Sequence, residues 1–203
     1  MSGGYDAGYK ACPCFWGKNP GSLVAALVEK IGNLDNLTVL DVGCGEGKNA
    51  AHLAKLGCRV RAVDVSELAL KNAKNAWDGE YGVSWETADV REVCLAPSEY
   101  DIVIAYGLLH CLRNVSEIDA TVKKLQLATR PGGYNILCAL NLRYQELEAH
   151  PGLNPCLVRH EHYVELYSSW QLILATDSDL IESHPHNLIE HRHSLTRILA
   201  RKI

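Results

Sequence analysis

Residues 39–47 read VLDVGCGEG, and the types and order of these residues suit chemistry on a bound ligand. Asp41 stands just before glycines at 43, 45 and 47, with Cys44 between the first two. Glycines in such a turn accept backbone angles that a Cβ forbids and let the main chain press against a ligand. A dinucleotide turn spaces its glycines G-x-G-x-x-G and places a pyrophosphate on the next helix. Here the spacing is G-x-G-x-G, and the acid at 41 would repel a pyrophosphate while suiting a ligand that carries an ammonium group. Asn49, just past the turn, belongs to the same ligand-facing set.

Further candidates sit at the ends of apolar runs. Asp64 closes the run within CRVRAVDVS, where an acid accepts two hydrogen bonds from ribose hydroxyls. The alternative is a helix cap, because Ser66, Glu67 and Leu68 read as a helix start. Val65 and Leu68 go with Asp64 on the ligand side. Asp89 closes VSWETADV and suits the exocyclic amine of an adenine, with Val90 beside it; the alternative is a polar loop residue. The run in YDIVIAYGLLHCL ends at Ala105 and Tyr106, and His110 follows, either facing the site or as a hydrogen-bonded core histidine. Trp16 closes over the ligand through a cation–π contact or simply packs.

His184, His186, His191 and His193, with Arg192 and Arg197, form the densest polar cluster. If 191–197 is a strand, His191, His193 and Arg197 share one face. Such a group binds an anion, accepts a proton, holds a metal, or is a solvated hairpin. The sequence carries no spacing that singles out a metal, and none is inferred. Cys12 and Cys14, in C-P-C, offer a soft site for a thiophilic element such as tellurium, selenium or arsenic, but they lack a second close pair and read as incidental in a substrate-side lid.

Strands and helices must position these side chains. Apolar runs at 37–42, 58–64, 83–90 and 100–106 alternate with helical stretches, 48–57 among them, and TRPGGYNILCAL adds a fifth strand after a Pro-Gly-Gly turn. This order predicts a parallel sheet with helices on both faces. Residues 1–20 form an aromatic arm, 141–169 leave the pattern, and two strands near 170–177 and 193–201 close the chain.

Taken as a set, these pieces resemble the class I S-adenosylmethionine (SAM)-dependent methyltransferases over about residues 35–142. The flanks, Y-D-x-x-Y-K…FWGKNPGSLV and HSLTRILARK, are similar to the small tellurite-resistance (TehB-like) branch. The resemblance implies an α/β, Rossmann-like fold: a mostly parallel seven-stranded sheet, helices on both faces and a C-terminal antiparallel hairpin. It implies one domain over 1–203, with an arm at 1–20, a cofactor core at 35–142 and a substrate-side segment at 143–203. It implies SAM as cofactor, S-adenosylhomocysteine as product, and methyl transfer to a small molecule. The acceptor is an oxyanion such as tellurite or selenite, or an O, N or S atom of a metabolite or natural product. Tyr106, His110, His191 and Arg197 are the catalytic candidates. In TehB-like enzymes a histidine and arginines of the C-terminal region are thought to meet the oxyanion. Competing classes are a catalytically silent SAM-binding domain and an NAD(P) enzyme, the latter disfavoured by Asp41.

Composition sets the limits. A chain of 203 residues buries a substantial core. Its formal charge of −4 and lack of a basic stripe argue against a nucleic-acid partner. The longest apolar run, 23–28, is too short for a membrane span, and the N-terminus has no leader pattern. The expectation is a cytoplasmic monomer or homodimer with reduced cysteines.

Overall fold

The computed structural model describes residues 5–77, 79, 82–148, 150, 152–184 and 188–203. Strands β1 (Thr38–Val42), β2 (Arg59–Asp64), β3 (Val83–Thr87), β4 (Tyr100–Tyr106), β5 (Thr129–Gln145), β6 (Gln171–Glu182) and β7 (His191–Arg201) form one sheet in the order β3-β2-β1-β4-β5-β7-β6. The first five pair in parallel, and β7 runs antiparallel to both β5 and β6. Strand order reverses between β1 and β4, which leaves a crevice at their carboxyl ends.

Side-chain alternation builds two cores. On one face Leu40, Val42, Val103, Ala105, Leu137 and Ile198 meet Ile118, Val122 and Leu125 of α5 (Val115–Ala128), along with Tyr163 of α6 (His160–Leu166) and Tyr167. On the other, Val39, Ala62, Ile102, Ile104 and Ile136 meet Leu23, Val24 and Leu27 of α2 (Ser22–Ile31) and Ala50 and Leu53 of α3 (Lys48–Lys55). α4 (Glu67–Ala76) is capped by Ser66, whose Oγ accepts from the Ala69 amide at 3.0 Å. The short α1 (Asp6–Ala11) lies over α4, tied by a 2.6 Å bond from the Ser66 hydroxyl to Asp6 Oδ1. No helix among the described residues is long and apolar enough to cross a membrane.

Several boundaries depart from the sequence pattern. β3 ends at Thr87, so Asp89 lies in the loop beyond it, and α3 stops at Lys55. The closing hairpin is longer than periodicity implied, because β6 continues through the polar stretch to Glu182 and β7 begins at His191. Cross-strand pairing there overrides weak strand preference.

Asp41 is the main surprise of the sheet. Its place between Leu40 and Val42 turns its side chain toward the α3 side, where it is 1% exposed. Neither carboxylate oxygen has a hydrogen-bond partner of normal geometry, and the Ala50 amide only partly offsets the burial. Burial first, and then the nearby Asp64 charge, push its pKa up to about 8. Between pH 4 and 8 the folded state therefore holds a proton that the unfolded state has released, so this group's contribution to stability falls as pH rises. Asp41→Asn removes that dependence. In thermal melts of the protein without ligand, the stability of the variant relative to the native chain should rise from pH 5 to pH 8; a constant difference would place a charged Asp41 in the fold at pH 5.

Candidate active site

A cavity of about 570 Å³ opens at the carboxyl edge of β1, β2, β4 and β5. Its near end is main chain. Gly43 and Gly45 have φ of 65° and 54°, and a Cβ on them would lie 2.8 Å from Leu108 and 2.9 Å from the Tyr9 hydroxyl. Gly47 then caps α3 in the left-handed region, at φ 76°. The turn is thus clamped from both sides, and its backbone forms the cavity wall.

Asp64 reaches across this turn. Oδ2 accepts the Gly45 amide and Oδ1 the Ser66 amide, each at 2.8 Å. A carboxylate offers about four acceptor positions, so roughly two remain for the cavity. The helix cap belongs to Ser66 instead. Val65 and Val90 add apolar wall, and Asp89 lies beside them. Arg91 grips both Asp89 oxygens, at 2.9 and 2.5 Å, and its side chain also reaches Glu117. The Arg91 guanidinium holds the Asp89 pKa down at about 2.

The aromatic arm roofs the cavity. Glu46, which sequence reasoning passed over, accepts the Cys14 amide at 2.9 Å, the Phe15 amide at 2.6 Å and the Asn72 amide group at 2.9 Å. Lys48 Nζ donates to the Trp16 carbonyl at 3.0 Å. Asn49 lines the cavity but uses Oδ1 to hold the Gly21 amide at 2.8 Å. Gly21 is needed there, because a Cβ would collide with the Tyr106 ring at 2.5 Å.

Tyr106, His110, His150, Glu182, His193 and Arg197 line the far end, beneath Tyr5 and Trp16. His110 Nδ1 accepts the Leu140 amide at 3.2 Å, which puts its ring hydrogen on Nε2, 3.0 Å from the Tyr5 hydroxyl. Burial pushes His110 down to about 3 and Tyr106 up to about 12. Arg197 donates from Nη1 to Ser178, and its buried Nε has no partner. His150 and His193 are driven down to about 3 and 4, first by burial and then by neighbouring histidines.

Of the residues expected at the site, Trp16, Gly43, Cys44, Gly45, Asn49, Asp64, Val65, Asp89, Val90, Tyr106, His110 and Arg197 line this cavity. Four do not. Asp41 is turned away beneath the glycine turn. Leu68 packs against the arm with Tyr9 and Phe15. Ala105 is core on the α5 face. His191 is buried behind His150 and His193 rather than on the wall. Cys12 and Cys14 also stand off the cavity, and His186 lies outside the described residues. The histidine face of β7 is as periodicity predicted. Tyr5 and Tyr9 were legible only as part of the aromatic arm, and Glu46, His150 and Glu182 carried no local signal.

The fold and this crevice define the class. Residues 39–133 match the methyltransferase-domain family. A ubiquinone biosynthesis O-methyltransferase of Alkalilimnicola ehrlichii is 33% identical over 112 residues, 55% of this chain and 44% of the relative. The chain spans less than half the length of the curated relatives it matches. Among solved structures, TehB from Haemophilus influenzae superposes with a TM-score of 0.74 at 21% identity, covering 90% of this chain and 62% of that one. A protein of echinomycin biosynthesis, where a disulfide bond is converted into a thioacetal group, superposes with a TM-score of 0.72 at 25% identity, covering 98% and 90%. Residues 39–133 thus match a methyltransferase domain, and they sit in the Rossmann-like fold that solved SAM-dependent methyltransferases share.

The residues fit that cofactor. The two spare acceptor positions of Asp64 match a ribose diol, the Cβ-free wall admits a close ligand, and the near-end cation Arg91 is neutralised by Asp89 and Glu117 rather than offered to a phosphate. Asp64→Ala should weaken SAM binding in calorimetry by about 1–3 kcal/mol, the cost of lost hydrogen bonds in a buried site. Unchanged affinity would move the ribose elsewhere.

Proposed function

We propose that this chain methylates a small molecule through an anionic oxygen or sulfur atom, using SAM. The carrying observation is the far end of the cavity, where the partly buried Arg197 lies beside Tyr106 and the histidines with its buried Nε unpartnered. Bound SAM supplies a methyl group already activated on a sulfonium, so the protein's work is placement and exclusion of water.

Each residue then has a physical task. Asp64 holds the ribose, Val65 and Val90 flank the base, and Asp89 stands near the base amine with Arg91 already on its carboxylate. Tyr5 and Trp16 keep water from the far end. Arg197 binds the acceptor's negative charge, and an otherwise unsatisfied buried guanidinium N–H favours such a partner. Tyr106 stays protonated at neutral pH and orients the acceptor by donating a hydrogen bond. His110 is neutral with its hydrogen committed toward Tyr5, so it positions the roof instead of acting as a base. A cavity of about 570 Å³ shared by cofactor and acceptor leaves room for a small acceptor.

Tellurite, selenite, phenolates and thiolates all carry the required charge. The O-methyltransferase relatives support oxygen, and the echinomycin neighbour supports sulfur. A methyl-transfer screen of tellurite, selenite, thiols, phenols and amines separates them. Turnover is expected with an anionic oxygen or sulfur acceptor. Arg197→Met should lower kcat/KM about 10- to 150-fold, the 1.5–3 kcal/mol of a hydrogen bond to a charged group, and leave SAM affinity unchanged. Turnover of amines alone, or an indifferent Arg197→Met, would contradict the assignment. SAM binding with no turnover across the panel would point to a silent binding domain.

A further inference from the structure

Behind the far wall, imidazole nitrogens converge. His150 Nε2 lies 3.0 Å from His191 Nε2, 3.1 Å from His193 Nε2 and 3.3 Å from His184 Nε2. Glu182 Oε1 stands 3.8 Å from His191 Nε2 and 4.0 Å from His193 Nε2. The donor atoms of His150, Glu182, His191 and His193 all fall within 4.8 Å of one another.

The hydrogen positions make this arrangement unfavourable by itself. His191 Nδ1 lies 2.8 Å from the Ile189 carbonyl, which only a ring N–H can satisfy. His193 Nδ1 likewise donates to Gln145 Oε1 at 2.7 Å. The amide of Gln145 cannot turn to offer its nitrogen, because Nε2 donates to the Asn141 and Ser194 carbonyls, each at 2.8 Å. Both rings are therefore tautomers with a bare lone pair on Nε2. Those lone pairs aim at the His150 nitrogen, which as a neutral ring carries at most one hydrogen there. The pocket is nearly sealed, with His191 4% and His193 1% exposed. Ring nitrogens held by outer acceptors, with their free lone pairs pointing inward, are how metal-ligating histidines are arranged. The spacing agrees. A zinc–nitrogen bond is about 2.0–2.1 Å, so the edge of a tetrahedral site is about 3.3 Å.

We propose that His150, His191 and His193 bind one divalent transition-metal ion of the zinc type, with the Glu182 carboxylate completing the donor set. Imidazole and carboxylate together suit zinc and its neighbours rather than magnesium or calcium. His150, His193 and Glu182 also line the cavity with Arg197, so the ion faces the acceptor end. There it anchors the anionic oxygen or sulfur of the acceptor. This role rests on the methyl-transfer reading; metal binding does not.

The test uses the full-length, untagged protein stripped with a chelator. It is titrated with cobalt(II), then zinc(II), while S-adenosylhomocysteine affinity is measured on the same sample. The expected result is one cobalt per chain, with the strong visible bands of a low-coordinate nitrogen site, displaced by zinc. His193→Ala should lose at least tenfold in affinity. Gln145→Ala, which leaves all ligands in place, should lose about 10–100-fold through its outer-sphere bond. Cobalt bands absent from the native chain, or unchanged in both variants, would overturn the site. Because the native spectrum decides the question, failure of a variant to fold does not. S-adenosylhomocysteine binding without metal uptake would sink the metal site alone; metal uptake without S-adenosylhomocysteine binding would sink the methyl-transfer reading alone.

Discussion

The Glu46 carboxylate holds the cavity together. It is 6% exposed and lies in the glycine turn, yet its oxygens gather N–H groups from Cys14, Phe15 and Asn72. One side chain thus ties the arm, the turn and α4 into a unit. A buried carboxylate is tolerable only when its lone pairs are satisfied, and here three donors do so. The same bonds fix Phe15 and Trp16 above the far end. Without them the roof would be a loose aromatic segment and the crevice an open groove.

With the roof in place, the cavity has two chemically different ends. The near end is backbone and carboxylate: a glycine wall and Asp64, with two acceptor positions free. The far end is nitrogen-rich, with Arg197 and converging imidazoles beside the Glu182 carboxylate. On the proposed function, a cofactor carrying a sugar diol binds at the first and an electron-rich acceptor at the second. The Tyr106 ring lies at the strand tip between them, seated against Gly21. The strand order sets this geometry, since only the reversal between β1 and β4 opens the edge where both ends meet.

Local signals in the sequence reached the near end well. The glycine turn, Asp64 and the alternation of strands and helices are short-range patterns, and each took its expected place. Asp41 shows the limit: its residue type suggested a ligand contact, but strand alternation turned it inward beneath α3. Ala105, next to the wall residue Tyr106, faces the core for the same reason, whereas Leu68 in α4 turns to the arm. The far end was less legible because its parts come together only through the tertiary fold. The period of two put His191, His193 and Arg197 on one face, but nothing local linked them to His150 in a loop or to Glu182 across the hairpin. Glu46 read as a spacer between glycines, and its function as a tether depends on donors from a segment some thirty residues earlier.

The most direct test of the account is a crystal structure with S-adenosylhomocysteine bound. The ribose hydroxyls are expected on Asp64, the nucleoside along the Gly43–Gly45 wall, and the sulfur directed toward Tyr106 and Arg197 beneath the roof. A ligand whose ribose avoids Asp64, or whose sulfur points away from the arginine and histidine end, would contradict it.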